Sequence, residues 1–268
     1  MQTNGHPGFM AKRPTALAAF LSLGFLCAPV AAHAEPLLSS TDYSITLAGI
    51  PIAKATFRTE ITDQTYTILG RFNSSGVANL VTDITAQTVV AGQVQENRLD
   101  ARSYKLVYRK GKKVETFDVQ MRNGNVTRSE ISPEPKRRPK EWVPVTEADL
   151  KSVFDPLSGL MIPADGPVCP RTVPVFDGES RMDLVLSPKG TQQFRKGDVD
   201  IEAIVCSVRY VPRAGYKKGR TDIEHLAKST GMEIWFAKTD SLPLYAPVRA
   251  RIPTRYGPVD VAAIKFDG

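Results

Sequence analysis

The sequence predicts a mainly β protein: one strongly curled antiparallel sheet, or an open β-barrel or spiral, with one short packed helix. Three observations predict it. From Thr41 to Ile131 apolar and polar residues alternate with period two, and turn residues break the alternation every eight to twelve positions, as antiparallel strands with one buried face require. Strand-like segments return at Val173, and no shift in composition divides the chain into two domains. The 19 Gly and 20 Pro among 268 residues supply many turns without reaching low complexity, and 42% apolar against 24% charged residues exclude a disordered chain.

Tyr43, Ile45 and Leu47 form the first alternation, and the turn at Ala48-Gly49-Ile50-Pro51 leads to Ala55, Phe57, Thr59 and Ile61. Tyr66, Ile68, Gly70 and Phe72 follow the turn at Thr62-Asp63-Gln64, completing three meander strands. Ser74 to Leu80 reads as a short helical or irregular crossing, after which Ile84, Ala86, Thr88, Val90 and Gly92 resume the alternation. Tyr104, Leu106 and Tyr108 make the next strand, with a turn at Lys110-Gly111-Lys112 before Phe117, Val119 and Met121. Asn123-Gly124 then marks a hairpin.

The middle differs. Ser132 to Pro144 holds Pro133, Pro135, Pro139 and Pro144 around Lys136, Arg137, Arg138 and Lys140, which excludes a strand. Thr146 with Asp149 three residues later has the logic of a capping box, so a helix is predicted over Thr146 to Phe154, ended by Asp155-Pro156. That helix should lay Leu150, Val153 and Phe154 on the sheet, with Leu157, Leu160, Met161 and Ile162 continuing the apolar contact. Strands return as Val173, Val175 and Phe176, a turn at Asp177-Gly178, then Met182, Leu184 and Leu186. A strand from Ile201 to Val211 carries Cys206, and a polar loop spans Pro212 to Gly231. Glu233 to Ala237, Leu244 to Ile252 and Val259 to Phe266 complete about a dozen strands, the last two joined at Tyr256-Gly257-Pro258.

The first 34 residues stand apart, combining Lys12-Arg13, an apolar run from Ala16 to Cys27, and Ala32-His33-Ala34 before Glu35. This is the pattern of a secretory signal peptide cleaved after Ala34, so the remaining residues 35–268 are expected to form a single periplasmic domain. The apolar run of roughly 12 residues is too short for a bilayer core that needs about 20, and no transmembrane span is expected after cleavage. Removing Lys12 and Arg13 lowers the charge excess from +7 to +5. Export also separates the chain from nucleic acid. Cleavage leaves Cys169 and Cys206, which in an oxidising compartment are expected to form a disulfide. With no CxxC spacing and one histidine, His225, in the mature chain, no metal site is expected.

The chemistry-bearing residues give no reactive centre. His225 sits in a polar loop beside Asp222 and Glu224, without GxSxG or another nucleophile signature. Asp155 and Asp177 could in principle serve as the carboxylates of a cell-wall hydrolase, but Asp155 precedes Pro156 and Asp177 precedes Gly178, where turn chemistry accounts for both. No glycine-rich phosphate cradle is present, and no cofactor is expected. Lys136, Arg137, Arg138 and Lys140 with Trp142 make a loop that could take an anionic partner, or simply a solvated, proline-stiffened loop.

The chain resembles a family of exported proteobacterial proteins that carry an uncharacterised domain, a domain of unknown function. The resemblance runs through Tyr43-Ser44-Ile45 with Gly49, Tyr66-Thr67-Ile68, Ser75-Gly76, Asp155-Pro156-Leu157-Ser158, Phe176-Asp177-Gly178, Cys206, Pro247-Val248-Arg249 and Tyr256-Gly257. It implies a periplasmic β-rich fold similar to the curled sheets of envelope-maintenance and lipoprotein-carrier proteins, with no catalytic residue to carry over. The expected function is therefore non-enzymatic: an envelope protein binding a lipid, acyl chain or extended peptide on the concave sheet face, where Tyr43, Phe57, Tyr66, Phe72 and Tyr108 would either line the site or fill the core. The alternative is an interaction module that docks an envelope protein through an edge strand or the basic loop.

Overall fold

The computed structural model describes residues 35–80, 82–95, 98–240 and 242–267. The predicted signal segment lies outside them. Seven strands form the first meander: β1 (Leu37–Leu47), β2 (Ile50–Ile61), β3 (Thr65–Ser74), β4 (Ile84–Gln95), β5 (Arg98–Lys110), β6 (Lys113–Arg122) and β7 (Asn125–Ser132). Their turns use the residues the sequence marks; at Asn123-Gly124 both residues have positive φ, 50° and 71°, as a tight hairpin between twisted strands needs. After β8 (Trp142–Val143) and β9 (Ile162–Pro163) come β10 (Arg171–Phe176), β11 (Arg181–Lys196), β12 (Val199–Ala214), β13 (Tyr216–Lys217), β14 (Glu233–Lys238), β15 (Leu244–Thr254) and β16 (Gly257–Asp267).

One antiparallel 14-stranded sheet results, in the order β10-β11-β12-β14-β15-β16-β1 and onward to β7, with β9 on β15. The last strand pairs with the first, Ser44 opposite Ala262 and Ile45 opposite Val261. The ladder does not close between β7 and β10. Instead, the segment between β8 and β9, residues 144–161 and called the crossing segment below, fills that gap: Val153 N–H donates to Gly124 O at 2.7 Å, Phe154 N–H to Pro174 O at 2.8 Å, and Phe176 N–H to Phe154 O at 2.9 Å. Several prolines sit inside paired strands; beside Pro188 in β11 and Pro247 in β15 the register slips, which is one way a ladder tolerates a residue without N–H.

The buried faces merge into a shared interior. Ile61, Tyr66, Ile68, Val90, Tyr104 and Val119 from the first meander meet Val153 of the crossing segment and Phe176 of β10. Burying a side chain such as Val153 contributes roughly 1.5–3 kcal/mol, so the crossing segment is held by packing as well as by backbone bonds. Cys169 and Cys206 form the expected disulfide. Among the described residues no helix is long and apolar enough to cross a membrane.

The predicted helix over Thr146 to Phe154 is corrected. Its cap exists, Asp149 accepting from Thr146 N–H at 2.9 Å and from Thr146 Oγ1 at 2.6 Å, but it starts only a 3₁₀ turn, Glu147–Leu150. Lys151 is extended, Ser152 has φ 52°, and Phe154 joins Val175 in a β-bridge, because the hydrogen bonds offered by the sheet gap replace helical ones. Leu150 and Val153 pack inward as expected, whereas Phe154 remains 41% exposed. Among the described residues the α-helix is α1 (Thr221–Lys228), inside the segment read as a polar loop. It places Asp222 and Glu224 in its first turn and His225 and Lys228 in its last, matching the helix dipole. His225 is half-buried there rather than solvated, and its Nε2 is a buried atom without a hydrogen-bond partner among the described residues. The proline-rich segment also yields the short β8, paired with β13. β11 runs to Lys196, past the predicted end at Leu186, by continuing its pairing with β12; Ser187 to Gln193 is exposed on both faces, so no alternation marks it in the sequence.

Candidate functional site: an apolar cavity under the crossing segment

Across β1, β2 and β3 large and small residues alternate in register on the inner face. Tyr43 lies opposite Ala55 and Ala55 opposite Phe72; one pair along, Thr41 lies opposite Phe57 and Phe57 opposite Gly70. The Phe57 ring occupies the space above Gly70, where a Cβ would come within 2.7 Å of the ring's Cε1. Tyr43 meets Phe57 edge to face with centroids 5.7 Å apart, and its hydroxyl donates to Pro247 O at 2.5 Å, so both rings are fixed. Burial raises the Tyr43 phenol pKa, which keeps that donor protonated.

The alternation leaves a void above Ala55. It measures about 310 Å³ and is bounded by Tyr43, Phe57 and Phe72 below, by Ala246, Ala250 and Val261 at the side, and by Pro156, Leu157, Leu160 and Met161 of the crossing segment above. This volume lies at the lower end of small-molecule sites, roughly 300–1,000 Å³. None of the residues bounding it is charged, so nothing in its lining would compensate an ionised group. The cavity suits an apolar occupant.

The roof is pinned by one buried carboxylate. Asp155 is fully buried; its Oδ1 accepts from Leu157 N–H at 2.9 Å and Ser158 N–H at 3.0 Å, and Ser158 Oγ donates to its Oδ2. The Tyr66 hydroxyl lies 2.9 Å from Ser158 Oγ, which ties the roof to β3. Burial pushes the Asp155 carboxyl pKa up, against the pull of these donors, and the Tyr66 phenol is raised by burial and then by the charge of Asp155. Asp177 is also raised by burial, and accepts from Glu179 N–H at 3.0 Å and Ser180 N–H at 2.6 Å. Both aspartates therefore act as turn acceptors.

Of the five aromatic residues singled out from the sequence, Tyr43, Phe57 and Phe72 line the cavity. Tyr66 lies in the core with its hydroxyl on Ser158, and Tyr108 is half-buried on β5 between Ala86 and Glu115, off the cavity wall. The sequence does not by itself assign the roof or the β15–β16 side to a site. Alternation marks their inward residues, but nothing local says that β16 pairs with β1. The basic loop divides. Arg138 stacks on Trp142 at 4.1 Å and pairs with Glu179 at 2.6 Å, while Lys136, Arg137 and Lys140 are exposed.

Fold and cavity together define an open, single-sheet β-barrel with an apolar interior roofed by its own crossing segment. The chain belongs to the family described as a protein of unknown function (DUF3108), which matches it over residues 42–263. A solved beta-barrel-like protein of domain of unknown function DUF1849 from Brucella abortus is similar at 10% identity and a TM-score of 0.49, over 87% of this chain and 97% of that one. Among curated proteins none matches.

Proposed function

We propose that this is a non-enzymatic periplasmic protein of the proteobacterial cell envelope that holds an acyl chain or a comparably extended apolar ligand in the cavity beneath the crossing segment. The observation that carries the reading is the uncharged void of about 310 Å³ above Ala55, bounded by rings that are fixed by their own contacts. Asp155 and Asp177 support the non-enzymatic part, since their oxygens bind local backbone donors instead of facing a substrate.

Native mass spectrometry of the oxidised protein taken from the periplasm is expected to give an adduct that solvent extraction removes. Ala55→Phe fills the void and should weaken binding of an added fatty acid at least tenfold, while costing about 1–3 kcal/mol of stability as an overpacked core does. A clean apo mass, with no shift on adding fatty acids or phospholipids, sinks the reading.

A second reading, docking of an acidic envelope partner, is favoured by the exposed Lys136, Arg137 and Lys140. Replacing these three with Gln leaves the Arg138–Trp142 stack in place and should abolish a crosslink that falls with rising salt. A crosslink that survives in the triple variant removes this reading.

A further inference from the structure

The roof of the apolar cavity is also a wall of a second one. Met161 lines both, and the second cavity, of about 480 Å³, is completed by Leu99 at the start of β5, by Ser158 and Gly159 of the crossing segment, and by the segment that enters β10. The two differ in chemistry. Arg98 and Arg171 both line the second cavity, with Asp165 as its acidic residue. Arg171 donates to Pro167 O at 3.1 Å, and among the described residues neither arginine belongs to an ion pair. Arg98 is exposed and Arg171 half-buried on this shared lining; partial burial and then the charge of Arg98 hold the Arg171 pKa below its ordinary value, while Asp165 pulls the other way.

Two like charges on one concave surface are relieved by an anion between them. The guanidinium fork fits a carboxylate or phosphate through paired N–H donors, and these charge-assisted bonds are stronger where water is partly excluded. The neighbouring cavity offers no such group. Its lining is uncharged, and only Met161, an unbranched and adaptable side chain, belongs to both.

We propose that the cavity carrying Arg98 and Arg171 receives the anionic head group, a carboxylate or phosphate, of an amphiphile whose chain occupies the apolar cavity on the other side of Met161. This deepens the acyl-chain reading and rests on it: the ligand class becomes an anionic single-chain amphiphile. Met161, which the two cavities share, is the residue that lies between head group and chain.

The test is competition against a neutral hydrophobic fluorophore, using the oxidised exported protein and three ligands of equal chain length: decanoate, decyl phosphate and decanol. Decanoate or decyl phosphate, or both, should bind at least tenfold more tightly than decanol, and whichever binds better assigns a free fatty acid or a phosphorylated lipid as the source. The Arg98→Gln/Arg171→Gln variant should lose at least tenfold for the anions and nothing for decanol, and Arg98→Lys/Arg171→Lys should recover part of the loss. If decanol binds wild type as tightly as both anions, or the Gln variant keeps the anion preference, the head-group site is wrong and the apolar cavity stands. If none of the three displaces the fluorophore, both readings are overturned.

Discussion

Asp155→Ala is expected to destabilise the fold by about 3–5 kcal/mol, because it strands buried donors whose partner was a carboxylate. Leu157 N–H, Ser158 N–H and Ser158 Oγ all lose their acceptor, and the Tyr66 hydroxyl loses the orientation of its neighbour. Asp155→Asn should cost under about 1.5 kcal/mol, since an amide oxygen still accepts both backbone donors. The pair of variants also carries a pH signature. The folded Asp155 pKa is raised from the ordinary 3.8, so the folded state holds this proton more tightly than the unfolded chain does. The resulting stabilisation is complete below 3.8 and is lost as pH rises through the folded value. Asn does not titrate, so the decline above 3.8 should be shallower in Asp155→Asn, though not abolished, because the raised Asp177 remains. Urea midpoints at a series of pH values, with the m-value unchanged, measure both effects. Asp155→Ala within about 1 kcal/mol of wild type would show that the roof does not depend on this carboxylate.

The same residues explain what could be read from the sequence. β1 to β4 were legible because one face of each is buried, which forces Tyr43, Ile45, Ala55, Ile68 and Val90 into alternation. Ser187 to Gln193 has no buried face, so its strand left no pattern. At Thr146 the local signal was right and its extent was wrong: the cap forms, but Val153 and Phe154 answer to Gly124 and Pro174, distant residues that no local window contains. α1 was missed for a related reason, since its eight residues are mostly polar and none is fully buried. The site divides along the same line. Tyr43, Phe57 and Phe72 share one face of neighbouring strands and were legible, whereas Ala246 and Val261 join them only through the pairing of β16 with β1. Arg98 and Arg171 belong to no periodic pattern, and only the fold places them on one cavity.

Breaking the Cys169–Cys206 bridge should cost about 4 kcal/mol, the chain-entropy value for a closed loop of 37 residues. Opening the cross-link once removes the whole of that term, so Cys169→Ala, Cys206→Ala and the double variant should unfold within about 1 kcal/mol of one another instead of additively. Cys206 is fully buried beside the β11 register slip at Pro188, and Cys169 lies in the segment that carries Asp165, Pro167 and Arg171 to the second cavity. The bridge thus ties one wall of that cavity to the centre of the sheet, while the apolar cavity is built from β1 to β3, β15, β16 and the segment pinned by Asp155. The two cavities should therefore respond differently under conditions where the variants remain folded. Decanol affinity should stay within about twofold of wild type, and the preference for decanoate or decyl phosphate should fall, because the wall carrying Arg171 is less firmly held. Urea midpoints and the ligand competition report the two effects separately. Variants that keep the wild-type midpoint would remove the stability argument, and a stable preference for the anions would show that Arg171 is positioned by β10 itself, without help from the disulfide.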